Sequence, residues 1–92
     1  MAAARPDLPG ADLIRAGLAD LGAGRESVAA LVVSIGAPRL RDLGYDVSAP
    51  IADADHRLYL TLAEDDHDSA HGRYNALIRQ LVSFERAAAC AG

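Results

Sequence analysis

From Ser69 to Cys90 the chain reads SAHGRYNALIRQLVSFERAAAC. Ala70, Tyr74, Leu77, Ile78, Leu81, Phe84 and Ala88 recur at three- and four-residue steps, which stacks them on one face of a helix. Good helix formers fill most of the remaining positions. Asp66, Asp68 or Ser69 can cap the start, where a short side-chain oxygen satisfies a free amide. The apolar face is broad: Phe84 lies on one edge and Val82 on the other, about 160° apart on ideal geometry. A face that wide exceeds what one neighbour covers, so this long C-terminal helix is expected to be central, packed by several others or shared with a second chain.

Upstream, the same spacing rules predict shorter elements. Residues 1–6 read as a loose tail, and Asp7-Leu8-Pro9 as a helix start, with Asp capping and Pro tolerated in the first turn. Leu13, Ile14, Leu18 and Leu21 form an apolar stripe that ends at Gly22-Ala23-Gly24. Gly17 sits in its middle, where glycine costs about 1 kcal/mol against alanine; close approach of a neighbouring helix is the expected reason. Residues 25–35 are ambiguous. Val28, Leu31, Val32 and Ile35 fit a helical face, but the β-branched run would also suit a buried strand. No other segment offers a partner strand, so a helix is expected. Gly36-Ala37-Pro38 breaks it, a short helical piece from Pro38 to Leu43 follows, and Gly44 closes that piece. After a linker over 45–52, Asp53 is a suitable cap for a helix from Ala54 to Glu64 that turns Leu58, Tyr59 and Leu62 inward. Glu64-Asp65-Asp66-His67-Asp68 then turns the chain into the last helix.

The fold expected is all-α: one domain over residues 7–92, a small bundle of about four helices with a long central C-terminal helix. Its core is expected to contain Leu18, Leu31, Ile35, Leu58, Leu62, Tyr74, Leu77, Leu81 and Phe84. Composition sharpens this. Hydrophobic content is 51%, but aromatic content is 4% and much of the rest is alanine, so a 92-residue chain buries a modest core of its own. Oligomerisation is one common route to more. Every basic residue is arginine, which suggests a GC-rich, bacterial coding sequence. The single cysteine, Cys90, excludes an internal disulfide framework and fits a reducing compartment. No apolar run approaches the ~20 residues of a membrane span, and the first ten residues lack a signal-peptide core, so a cytoplasmic location is expected.

The net charge of −4 is unevenly placed. Acids crowd residues 42–68, opposed there by Arg57 alone, whereas Arg73, Arg79 and Arg86 make the last helix basic. His67 and His71 are four apart and would share a face of a continuous helix, as metal ligands need. His67 is expected in the turn instead, with the acids capping the helix, so no metal or cofactor is expected. His71 with Arg73 and Tyr74, or Ser83 beside Glu85, are the nearest approach to a catalytic set. Neither has a nucleophile held by an oriented base, and no enzyme activity is expected. The region from Val28 to Leu43 has a superficial helix-turn-helix outline with Arg39 and Arg41, which makes a small nucleic-acid-binding regulator the alternative. Its second helix is very short and the chain is acidic, so nucleic acid is the lesser expectation.

What remains is a helical protein-interaction module: a homodimer, or a subunit or inhibitor of another protein. The residues expected to form the partner surface are Arg73, Tyr74, Leu77, Leu81, Phe84 and Glu85. Glu85 falls between Leu81 and Ala88 on the apolar face, where a lone carboxylate needs a partner or water. Arg73 from a second chain in an antiparallel pair is one candidate for that partner, and Arg15 of the same chain is the competitor.

Overall fold

The computed structural model describes residues 8–91. The expected tail over 1–6 and Asp7 itself lie outside the described residues, but the expected helix start is corrected. The first helix begins at Ala11 behind a left-handed Gly10 (φ 76°), so Pro9 stands in the turn before the helix and not in its first turn. Among those described, the chain forms five α-helices and no strand: α1 (Ala11–Gly22), α2 (Val28–Ile35), α3 (Ala37–Asp42), α4 (Ala54–Asp65) and α5 (Ala70–Ala91). A 3-10 turn, His67–Ser69, leads into α5.

The ambiguous run after Arg25 is helical, and its environment explains why its pattern was hard to read. Ala30, Leu31, Val32, Val33 and Ser34 are buried in succession. Five consecutive residues turn through more than a full circle of a helix, so α2 has neighbours on every side and shows no polar face. α1 and α4 pack on it most extensively, with α3 and α5 completing the enclosure. The helix begins at Val28 because Ser27 is in an extended conformation and its Oγ accepts the Ala30 amide at 3.1 Å. The bundle and its long C-terminal helix are as expected; the element enclosed all round, however, is α2.

Two glycines make the close packing possible. A β-carbon on Gly17 would collide with the Ala29 backbone, so α1 and α2 meet backbone to backbone, the close approach expected of that glycine. A β-carbon on Gly36, between α2 and α3, would stand 2.7 Å from Leu81 Cδ1, so the α2–α3 junction lies directly on α5.

Several expected details are corrected. Asp53 does not cap α4 with its side chain; it has φ 55°, in the left-handed region, and no cap hydrogen bond. Leu58 and Leu62 are buried as expected, but Tyr59 is 38% exposed. Leu18, Ile35, Tyr74 and Leu77 sit at the rim of the core, partly buried, because each lies at the margin of its helix's inward face. Their places at the centre are taken by Ile14, Val32, Val33, Leu40 and Val47, with Leu31, Leu58, Leu62, Leu81 and Phe84 buried as expected.

Candidate interaction surface

α5 turns Ala70, Leu81 and Phe84 into the core. Phe84 meets the ring of Tyr45, 5.5 Å away between centroids at 57°, from the segment that joins α3 to α4. Two of the residues expected to face a partner, Leu81 and Phe84, are therefore spent within the chain. The sequence pattern could not show this, because Gly36 and Tyr45 approach α5 from some forty residues away and follow no helical period.

What α5 leaves open is one edge. Tyr74, Ile78 and Val82 are four residues apart, so they form a line along the helix. Tyr74 and Ile78 are half-buried and Val82 is 37% exposed. α4 adds Tyr59, whose ring lies 5.9 Å from that of Tyr74. Leu60, 47% exposed, does not belong to this strip. It lies about 200° from the buried Leu58 around α4 and faces away. Val82 and Tyr59 are residues that the sequence pattern alone placed elsewhere or left out of the surface.

The charged members of the expected set have intrachain neighbours. Arg73 donates to Asp65 Oδ2 at 2.7 Å, across the turn between α4 and α5. Glu85 is half-buried at the α2–α3 junction, its Oε2 3.0 Å from where a β-carbon of Gly36 would stand. Burial raises the Glu85 carboxyl above its ordinary value, and the charge of Arg39 opposes the rise. Among the described residues no hydrogen bond or ion pair reaches it. Arg15, the expected intrachain competitor, instead pairs with Asp12 at 3.3 Å; the cation whose charge acts on Glu85 is Arg39.

The candidate chemical sites do not assemble. His71 Nε2 lies 3.2 Å from the Asn75 amide, Arg73 is held by Asp65, and the Tyr74 ring packs at a tilt against Tyr59, so the three point to three different partners. Ser83 is exposed. His67 stands in the 3-10 turn as expected, and there the Asp66 side chain accepts the Asp68 amide at 3.2 Å, so Asp66 caps this turn rather than α5 itself. Among the described residues no three His, Cys, Asp or Glu side chains converge as a metal would require. Cys90 is a free, exposed thiol.

Nor does the Val28–Leu43 region present a free recognition helix. α2 is enclosed, and α3 has six residues. Arg41 donates to the Val47 carbonyl at 2.8 Å, which fastens the following segment. No described helix is long and apolar enough to cross a membrane. No family model, curated protein or solved structure matches the chain.

Proposed function

We propose that this protein is a small, non-enzymatic helical interaction module that pairs with a second copy of itself through the open edge of α5. The observation that carries the proposal is the line Tyr74, Ile78, Val82, flanked by Tyr59, left partly uncovered after Leu81 and Phe84 have turned inward. Apolar anchors at four-residue steps are what one helix offers another. A two-fold pairing uses the same strip on both chains, the commonest closure for a small protein. Leu77 borders the strip from the rim of the core, and Glu85 stands at its far end. A subunit or inhibitor role would use the same strip against a helix of another protein.

Light scattering tests this. The wild type is expected to reach a dimer mass at high micromolar concentration, and Val82→Arg, at an exposed position, to remain monomeric with an unchanged helical spectrum. A wild type that stays monomeric at that concentration would end self-association as its role.

A further inference from the structure

The segment between α3 and α4 carries features that neither helix packing nor the open edge of α5 explains. Residues 45–53 have no regular secondary structure, yet they are tied to the bundle at several points. The Tyr45 ring lies on Phe84. Val47 is 3% exposed, and its carbonyl accepts from Arg41 at 2.8 Å. The Ile51 amide donates to Ser34 Oγ at 3.0 Å. Ser34 is the polar residue buried in the core among those described, and its own hydroxyl donates to the Ala30 carbonyl at 2.8 Å.

Strain opposes these ties. Ala49 has φ 37° and Asp53 has φ 55°, left-handed conformations that residues with a β-carbon adopt only when their surroundings hold them there. Ser48 and Ala49, between the two polar ties, are exposed.

We infer that residues 45–53 form a strap that opens as a unit while the helices stay folded, with Ser34 as its latch, and that opening uncovers Phe84. The latch is separable from the helix that carries it. Ser34 keeps its bond to Ala30 when the strap leaves, so no buried donor is orphaned in α2. Arg41 and the Ile51 amide exchange their partners for water, and release lets Ala49 and Asp53 relax. Besides the Ser34 latch, what holds the strap shut is the Val47 side chain, the partly buried Ile51 and the Tyr45–Phe84 contact, a small apolar area of the kind from which local openings are drawn. The residue that the sequence assigns to a partner surface, Phe84, is reachable in the open state alone.

Native-state hydrogen exchange of the intact protein, followed by NMR, tests the opening. The Ile51 amide should exchange at least about tenfold faster than those of Leu31, Val32 and Val33, and its rate should respond weakly to low denaturant, as an opening that exposes little surface does. Ala49→Gly, which removes strain from the closed strap and leaves the helices untouched, should slow Ile51 exchange severalfold. In Ser34→Ala the cross-peaks between the Tyr45 and Phe84 rings should weaken while those between Tyr59 and Tyr74 persist. Ile51 exchanging at the rate and denaturant dependence of the α2 amides, or a Tyr45–Phe84 contact undiminished in Ser34→Ala, would overturn the inference.

Discussion

Gly17 faces the Ala29 carbonyl so closely that a β-carbon at position 17 would meet its oxygen, 2.8 Å from the carbonyl carbon and 2.8 Å from Val33 Cγ1. The contact joins two backbones, which cannot yield as a side-chain tip can. Gly17→Ala is therefore expected to destabilise by about 1–3 kcal/mol, although alanine is the better helix former. Gly72, near the start of α5, has nothing within 4 Å of its would-be β-carbon. Gly72→Ala should stabilise, by up to about 1 kcal/mol. Denaturant midpoints that shift in the same direction for both variants would contradict this packing.

Ser27 links two functions in one hydroxyl. Its oxygen accepts the Ala30 amide, and its proton goes to Asp20 Oδ2 at 2.5 Å, while Arg25 pairs with the other side of that carboxylate at 2.9 Å. Ser27→Ala should cost about 1 kcal/mol through the lost cap. The bond from Ser27, and then that from Arg25, lower the Asp20 carboxyl below its ordinary value. A depressed carboxyl contributes stability that is present above its unfolded value and lost as pH falls through its folded value. Acid titration of the melting midpoint should thus fall less steeply below the usual aspartate range in Ser27→Ala than in the wild type.

Glu85 has the opposite sign. Burial beside Gly36 raises its carboxyl, so the folded chain holds the proton more tightly than the unfolded one. Stability should fall as pH rises from the unfolded value through the raised folded value. Glu85→Gln removes that titration. It should melt higher than the wild type at about pH 7 and lose the difference toward about pH 4, where the wild-type carboxyl is protonated. A variant that melts lower at neutral pH would mean that the attraction to Arg39 outweighs burial.

Leu81 and Leu60 test which helix faces are inward. Leu81 is 4% exposed under the α2–α3 junction, and Leu60 is 47% exposed on α4. Leu81→Ala is expected to cost about 2–5 kcal/mol. Leu60→Ala should stay within about 0.5 kcal/mol. Equal losses in chemical denaturation would place Leu60 in an interface.

The helices themselves were legible because their causes are local. Spacing at three and four residues marked α1, α4 and α5; Gly and Pro punctuation marked the ends of α1, α2 and α3, and the acidic run over 64–68 marked the turn between α4 and α5. Ser27 and Asp53 show where local legibility stops. Both are short oxygen-bearing residues before a helix, but Ser27 is extended and caps, while Asp53 is held left-handed at the end of the segment tied to Ser34 and does not. The difference lies in how the preceding chain is anchored, which no four-residue window contains.

The periodicity of α5 by itself determined that a wide apolar face exists. Tertiary structure alone decided which part of that face is left uncovered. Gly36 admits α2 to within contact of Leu81, and Tyr45 reaches Phe84, so the inner half of the face is consumed and Tyr74, Ile78 and Val82 remain. The β-branched run of α2 determined burial but not its form; enclosure by four helices made it a helix with no polar side. Pairing across tens of residues depends on shape and on which glycines permit approach, and a one-dimensional pattern of apolar positions records neither.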